Sequence, residues 1–512
     1  MSYNHWFITR SKRKLITILP SLFAFYDTCV GKVWKNDLHI AYEDTLGARG
    51  ITEHGNLRAR EVGQGGGGGR TMFALMKDLG LVFREDGNKK CRLTLIGEDI
   101  IKGNIVFVDA IRLQLKRYQY PSAVRWSGSG SVSHEFKVHP FQFIFRLLRD
   151  ERLENYLQAE EMRGIVIHYA ISDNNRTYES VVQKILAYRQ EVPNAGFVED
   201  TPDKAYGNIA NTFFNYISLT QWVDRDTGKI MIRHGKEADV DQFIEDNPSF
   251  IQHPEVTENY IRTYGRGNAT RDLRNFAREK SQSQRELSEI RIREEYLKLA
   301  IAMPITSITS EIVQTISDRT GIDDRTVESY LIQNHRHGSL SEFFMAYREL
   351  AHSGRAGATD FELATCEIFQ RLFHMRAKHV GPDGNTPDVF IESSECGYCG
   401  IIDNKAYHDK YSITAGHKRA MLVDYIPKYR GYGETDLPLA FYTYIAGSFG
   451  TNINNQLAAI TKETGINGSA MPVDILIDFA QDYAERGCDH EYIKNLFSVN
   501  REIRLQDIAT TK

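Results

Sequence analysis

The spacing of apolar residues near the start of the chain predicts a helix followed by a hairpin. Apolar residues recur at helical spacing over 71–79, and Gly80 follows as a helix-ending glycine. Two short stretches, 81–83 and 91–95, flank a turn of Glu, Asp, Gly and Asn, which predicts paired strands. The apolar repeat over 96–101 predicts the next helix. Helices followed by such a hairpin are typical of a winged helix.

Two later segments repeat this kind of pattern. Helices are predicted over 177–188 and 212–219, and 222–232 reads as a second hairpin around an Asp-Thr-Gly turn. Further on, 310–318 and 323–331 predict two helices joined by a Thr-Gly-Ile turn, with an Asp as the N-cap of the second. That arrangement indicates a helix-turn-helix.

The last third of the chain has a different pattern, in which a helix precedes two strands. Residues 362–373 have helical spacing, 386–391 and 401–407 are rich in β-forming residues, and 395–400 between them predicts a turn. Mixed helices and strands of this kind indicate an α/β domain with a mixed central sheet. The fold class is therefore multidomain, with a mainly α N-terminal region followed by an α/β domain.

The length of 512 residues exceeds what one hydrophobic core usually supports. We expect a winged-helix recognition subdomain at 1–150, a second winged-helix-like subdomain at 151–260 and a helical, helix-turn-helix subdomain at 261–335. The α/β domain is expected at 340–512.

Charge and composition limit the partners and the location of the protein. The first 120 residues carry 19 Lys and Arg against 12 Asp and Glu, although the whole chain has a net charge of −4. A basic first segment indicates a polyanion, and double-stranded DNA is the candidate. No apolar run is long enough to cross a membrane, and the N-terminus lacks the pattern of a secretion signal. We therefore expect a cytoplasmic protein that does not associate with membranes.

Basic residues in two regions are candidates for DNA contact. The five glycines before Arg70 are either a flexible loop or backbone that approaches a phosphate. A second basic stretch begins near residue 262. It is either a further phosphate contact or a solvated helix face. The candidate DNA-binding residues are Arg58, Arg60, Arg70, Lys89, Lys90, Arg92, Arg266 and Arg271.

Three charged residues of the α/β domain carry the candidate chemistry. Asp388 begins one predicted strand, and Asp403 and Lys405 share a face of the next because alternate strand residues point the same way. Two converging carboxylates repel each other unless a hard cation lies between them, which predicts a Mg²⁺ site. Lys405 is placed to orient an attacking water or to neutralise charge on a phosphate.

At these residues the sequence resembles a known family. Residues 340–505 look like the nuclease domain of the FokI-like type IIS restriction endonucleases, a branch of the PD-(D/E)XK nucleases. The resemblance follows, in order, 361–369, 378–381, 386–388, 402–407, 441–444 and 448–457. The N-terminal part is similar to the recognition region of these enzymes, most of all to the AlwI group.

The resemblance implies roles for particular residues. Asp388 and Asp403 would bind Mg²⁺, Lys405 would be the catalytic lysine, and Glu362 or Glu367 would be a further metal ligand. Relatives dimerise through an Asp/Arg pair, and Arg419 and Val423 stand at those positions here. Self-association for double-strand cleavage is still expected, but its contacts cannot be carried over.

The sequence therefore predicts a bacterial type IIS restriction endonuclease, which binds a short asymmetric DNA site and cuts at a fixed distance outside it. A strand-specific nicking endonuclease and a winged-helix DNA-binding regulator without catalysis are the alternatives. Cys396 and Cys399 have the spacing of a zinc pair, but no second pair follows at usable distance. A hairpin that contains two thiols is the simpler interpretation.

Overall fold

The computed structural model divides the chain into two compact units, 1–294 and 295–512. The residues that it describes are 4–9, 15–52, 65–122, 136–193, 196–202, 204–226, 228–268, 283–381, 386–407, 410–429, 437–486 and 489–508. No helix within these ranges is long and apolar enough to cross a membrane.

The first unit is mainly helical. Its longer helices are Ile18–Cys29, Asn36–Ala48, Gly67–Asp78, Leu95–Lys102, Phe107–Arg117, Pro140–Leu148, Asn175–Arg189, Ala205–Ser218, Glu237–Glu245 and Thr257–Tyr264. Its strands are β1 (Val82–Arg84), β2 (Cys91–Leu93), β3 (Tyr156–Gln158), β4 (Val223–Asp226) and β5 (Lys229–Ile232). Helix Gln284–Ala302 spans the division between the two units.

Both predicted hairpins of this unit are present. Strands β1 and β2 pair antiparallel after helix Gly67–Asp78, and helix Leu95–Lys102 follows with Thr94 as its N-cap. Strands β4 and β5 also pair antiparallel, and β3 adds to them a third strand that the sequence pattern did not indicate. The mainly α fold class of this region, with its winged-helix elements, is thus confirmed.

The glycine run begins a helix. Helix Gly67–Asp78 starts four residues before the predicted 71–79, and Gly66 precedes it with a φ of +81°. The buried carboxylate of Glu43 accepts hydrogen bonds from the amides of Gly66 (3.1 Å) and Gly68 (2.7 Å). The carboxylate of Glu43 therefore occupies the position at which the sequence suggested a phosphate. Glu43 is too distant in sequence from the glycine run for the local pattern to predict this contact.

Close packing explains why glycine is needed inside this run. A Cβ on Gly69 would lie 2.5 Å from the backbone oxygen of His39, and backbone cannot swing aside. We expect Gly69→Ala to destabilise the unit by about 1–3 kcal/mol through overpacking. Thermal denaturation tests this, with Gly67→Ala as the matched control because its nearest atom is 3.8 Å away. Equal melting temperatures for the two variants would contradict the packing argument.

The predicted helix-turn-helix is present near the start of the second unit. Helices Ser310–Thr320 and Asp324–His335 flank Gly321, whose φ of +70° ends the first helix. The carboxylate of Asp323 accepts a hydrogen bond from the amide of Thr326 at 3.0 Å, as expected of an N-cap.

A five-stranded mixed sheet is the centre of the second unit, in the order β10-β9-β8-β7-β6. The strands are β6 (Arg376–His379), β7 (Val389–Ser393), β8 (Tyr398–Lys405), β9 (Leu439–Ala446) and β10 (Asn467–Pro472). Strands β6, β7 and β8 pair antiparallel, and β8, β9 and β10 pair parallel. This confirms the predicted α/β domain with a mixed sheet.

Strand β8 starts three residues before the predicted 401–407. The turn is therefore shorter than 395–400, because Cys399 and Gly400 belong to the strand. Gly400 lies against the ring of Phe441, and a Cβ there would be 2.7 Å from ring carbons. The glycine is thus a packing requirement and not a turn signal.

Helices cover both faces of the sheet. The other helices of this unit are Ser341–Ala351, Ala358–Glu367 (continued by Ile368–Leu372), Ala415–Arg419 (continued by Ala420–Tyr425 and Ile426–Tyr429), Ile453–Thr464, Val473–Arg486, His490–Phe497 and Leu505–Ile508. Ile391 and Ile402 pack into the cluster on one face, whereas Ile401 and Tyr442 pack into the cluster on the other. Burial on both faces accounts for the apolar character of β7 to β9.

Candidate active site

The predicted residues meet where β7 begins and β8 ends. Asp388 lies just before β7, and its amide donates to the carbonyl of Ile402 at 3.1 Å. Asp403 and Lys405 alternate along β8 on the same face as Ile401. The antiparallel register pairs Val389 with Ile402, so the start of one strand lies beside the end of the other.

Asp403 and Lys405 form a buried ion pair. The Lys405 Nζ lies 2.7 Å from the Asp403 Oδ1, and the side chains are 13% and 3% exposed respectively. The half-buried Asp388 carboxylate accepts a hydrogen bond at 2.6 Å from the backbone amide of Asn404 to its Oδ2. The structure therefore brings the three predicted residues together at the end of the sheet where β7 begins and β8 ends.

The electrostatics of the site favour a bound cation. Burial and the neighbouring charges of Asp403 and Glu362 raise the pKa of Asp388 well above its usual range, although Lys405 acts in the opposite direction. Burial lowers the pKa of Lys405, but the two aspartates raise it by more, so the net change is upward. One lysine thus compensates the two aspartates only in part.

The raised pKa of Asp388 gives a stability prediction. The pKa of an aspartate in the unfolded chain is about 3.9, and folding raises the pKa of Asp388 above that value. As the pH rises from the unfolded pKa through the folded pKa, such a carboxyl lowers the free energy of unfolding. In EDTA at neutral pH, Asp388→Asn should therefore melt above the wild type, by about 2–4 °C for each kcal/mol relieved, and the gain should disappear at acid pH. Scanning fluorimetry across pH measures this, with the exposed Glu328→Gln as control. A lower melting temperature for Asp388→Asn at neutral pH would be the contrary result.

Hydrogen bonds on the opposite face of the sheet hold the end of β8. The Asn404 side-chain amide donates to the Thr365 Oγ1 at 2.7 Å, and that hydroxyl lies 2.7 Å from the hydroxyl of Tyr347. The backbone amide of Asn404 donates to Asp388, while its side-chain amide donates to Thr365. Together these hydrogen bonds fix the backbone between Asp403 and Lys405. Sequence reasoning missed Asn404 and Thr365, since their pairing joins residues 39 positions apart.

The two candidate glutamates have different surroundings. Glu362 is among the charges that raise the pKa of Asp388, and its Oε2 lies 2.8 Å from the Nε2 of His379. Glu367 pairs with Arg371 at 2.6 Å along its own helix. Of the two, Glu362 is therefore the better placed to act on the site.

Tyrosines surround Asp403 on the face that it shares with Lys405. Burial and then the charge of Asp403 raise the pKa of Tyr411 and Tyr444 and raise that of Tyr425 to about 12. The hydroxyl of Tyr411 lies 2.9 Å from the Nδ1 of His417. These aromatic residues were not predicted as site residues, and Tyr444 comes to lie beside Asp403 only through the pairing of β8 with β9.

The residues fit a hard divalent cation. Asp388 and Asp403 offer carboxylate oxygens, the ligands that Mg²⁺ prefers, and Mg²⁺ usually keeps several waters besides one or two carboxylates. Among the described residues no group of three or more His, Cys, Asp or Glu side chains is arranged to hold a metal. Cys396 and Cys399 pack against the two different apolar clusters of the sheet, which argues against a zinc pair.

The candidate DNA-binding residues occupy varied positions. Arg58, Arg60 and Arg271 lie outside the described residues. Arg70 and Lys89 are exposed, and Lys90 is half-buried. The Arg92 Nε lies 2.9 Å from the Glu85 Oε1. Arg266 is half-buried. The pKa of Arg117 is lowered first by the burial of Arg117 and then by the charge of Arg266.

Models of known protein families match segments in both parts of the chain. Residues 321–504 match the family described as FokI, cleavage domain, and residues 113–243 match the N-terminal domain of the type II restriction endonuclease HgaI. The first match confirms the predicted resemblance of the C-terminal residues to the FokI-like cleavage domain. Both matching models describe domains of type II restriction endonucleases.

Individual relatives are more distant. The type II restriction enzyme StsI of Streptococcus sanguinis is 26% identical over 146 residues, which are 27% of this chain and 24% of that enzyme. The match therefore spans about a quarter of the curated relative. The structure of restriction endonuclease FokI aligns with 98% of this chain and 100% of its own at 12% identity, with a TM-score of 0.31. The BpuJ1 endonuclease binding domain, solved with modified DNA, aligns with 51% of this chain and 96% of its own at 13% identity and a TM-score of 0.37.

Proposed function

We propose that this protein is a Mg²⁺-dependent type IIS restriction endonuclease. It binds a short asymmetric site in double-stranded DNA and hydrolyses phosphodiester bonds at a fixed distance outside that site. The observation that carries the proposal is the convergence of Asp388, Asp403 and Lys405 at one sheet edge of a FokI-type cleavage domain.

Asp388 and Asp403 would hold the cation. When bound, Mg²⁺ would polarise the scissile phosphate and lower the pKa of a coordinated water. The backbone amide of Asn404 donates to the Asp388 Oδ2 and so orients the carboxylate that would hold the cation. Glu362 is the candidate for a further contact, because its charge already acts on Asp388.

Lys405 acts as a cation and hydrogen-bond donor. Despite burial, Asp403 and Asp388 raise its pKa in the metal-free protein, which favours a role as a cation over a role as a general base. Packed beside Asp403, it can orient the attacking water or neutralise charge that develops on the phosphate oxygens.

Recognition is proposed for the N-terminal region. Residues 113–243 match the HgaI N-terminal domain, and the first 120 residues carry an excess of basic side chains. The exposed Arg70 and Lys89, with Lys90, Arg92 and Arg266, are proposed to contact DNA there. Contacts of Lys and Arg with phosphates make binding salt-dependent, whereas base contacts determine the site.

Self-association through the cleavage domain is proposed for double-strand cleavage, because one active site cuts one strand at a time. Arg419 and Val423 are exposed on the helical segment after β8, where relatives use an Asp/Arg pair. Plasmid cleavage distinguishes the alternatives, since a nicking enzyme produces open circles without linear DNA and a regulator cuts neither strand.

Run-off sequencing of a digested plasmid library tests the function. The proposal predicts Mg²⁺-dependent ends that lie at a constant offset from one shared asymmetric sequence. Ends scattered without a common neighbouring sequence would contradict site-specific recognition, and the absence of new ends would contradict the nuclease assignment.

A further inference from the structure

The hydroxyl of Tyr444 is a buried polar group that has no hydrogen-bond partner within the described part of the chain. Its side chain, in strand β9, is 0% exposed. Buried polar groups are almost always paired, and an exception calls for an explanation such as an absent ion or water. The orphaned hydroxyl therefore indicates a partner that the chain does not itself supply.

Tyr444 lies beside the candidate cation site. The parallel register of β8 and β9 pairs it directly with Asp403. Tyr442 and Ile401 pack in the same apolar cluster as Tyr444, so alternation places Asp403 on that face of the sheet too. A tyrosine hydroxyl ordinarily has a pKa of about 10, so at neutral pH it is protonated and can donate a hydrogen bond.

Two neighbouring tyrosines already have partners. The hydroxyl of Tyr442 donates to the carbonyl of Leu457 at 3.1 Å, and that of Tyr411 lies 2.9 Å from the Nδ1 of His417. Tyr444 shares their strand or their cluster but lacks such a bond. The difference sets Tyr444 apart from tyrosines that serve packing and internal pairing.

We propose that Tyr444 is a positioning residue of the cation site. With a divalent cation bound at Asp388 and Asp403, its hydroxyl donates a hydrogen bond to an oxygen ligand of that cation. This inference rests on the proposed Mg²⁺ site. Hydrogen bonds to the ligands of a metal orient them, and their loss typically weakens metal binding by about 10–100-fold.

Tyr444→Phe in the full-length protein tests the proposal, because it removes only the hydroxyl. Thermal shift and calorimetric titrations with Mg²⁺, in the absence of DNA, measure affinity, and Asp388→Asn defines the signal that belongs to this site. We expect the Kd for Mg²⁺ to rise by about tenfold or more. The melting temperature in EDTA should stay equal or increase, because an unpaired buried polar group is removed.

Tyr442→Phe is the matched control on the same strand. It removes a hydroxyl that is bonded to Leu457, so its melting temperature in EDTA should fall while its affinity for Mg²⁺ stays unchanged. The two variants thus have opposite signatures. Cleavage by Tyr444→Phe should recover toward the wild-type rate as Mg²⁺ is increased, whereas cleavage by Asp388→Asn should not.

The outcomes separate this inference from the proposed function. An unchanged Mg²⁺ affinity of Tyr444→Phe would overturn the positioning role, and so would a melting temperature in EDTA below that of Tyr442→Phe. In either case a wild type that binds Mg²⁺ and cuts DNA would leave the nuclease assignment intact. A wild type whose Mg²⁺ response equals that of Asp388→Asn would overturn both.

Discussion

Asp403→Ala is expected to reduce DNA cleavage by about 10³-fold or more while specific DNA binding persists. Asp403 is buried beside Lys405 and its charge acts on Asp388, so its removal takes away one of two carboxylates available to the cation. Metal stabilisation of the transition state is worth several kcal/mol, and each 1.36 kcal/mol corresponds to about tenfold in rate.

Single-turnover cleavage and gel retardation measure these two properties separately. Binding should be tested in Ca²⁺ or EDTA, where cleavage does not deplete the DNA. Glu463→Ala is a suitable control, since its exposed carboxylate belongs to the same domain and pairs with Lys418 on the surface. A variant that lost binding and cleavage together would indicate misfolding, and one that kept cleavage would exclude Asp403 as a ligand.

Lys405→Met should reduce cleavage by about 10²–10³-fold, the usual effect of removing a group that stabilises developing negative charge. Its effect on metal binding should differ from that of Asp403→Ala. The Lys405 ammonium occupies an oxygen of Asp403 in the metal-free protein, so its loss should leave Mg²⁺ affinity unchanged or tighter. The metal-free protein should also become less stable, because the buried carboxylate of Asp403 loses its partner.

Cleavage rates and Mg²⁺ titrations of Lys405→Met check both expectations. Lys418→Met provides the control, because Lys418 forms a surface pair that is worth little. If Lys405→Met cut DNA at the wild-type rate, the proposed role of the ammonium would be wrong. If it instead lost Mg²⁺ binding, Lys405 would act by organising the cation site and not by contacting the reacting phosphate.

The acidic site was predictable because its main elements are close in sequence. Asp388 and Asp403 flank a hairpin, so strand alternation and one turn suffice to bring them together. The length of that turn was wrong because Gly400 looked like a turn residue, whereas it makes room for the ring of Phe441 from another strand. A local pattern cannot reveal a glycine that is required by a distant neighbour.

Features that depend on distant pairing were not predictable. Tyr444 reaches Asp403 only through the parallel pairing of β8 with β9, and a parallel connection leaves no register signal in a turn. Glu43 caps the glycine-rich helix from another helix, so the sequence left open whether those amides bound a phosphate. The domain bounds of the N-terminal region remain proposals for the same reason.

The central claim is that Asp388 and Asp403 carry Mg²⁺-dependent cleavage of DNA. Supercoiled plasmid that contains the recognition site should be incubated with the wild type and with an Asp388→Ala, Asp403→Ala double variant, in Mg²⁺ and in EDTA. The wild type should break the plasmid in Mg²⁺ only, and the double variant should retard the same DNA without breaking it. Undiminished cleavage by the double variant, or by the wild type in EDTA, would contradict the claim.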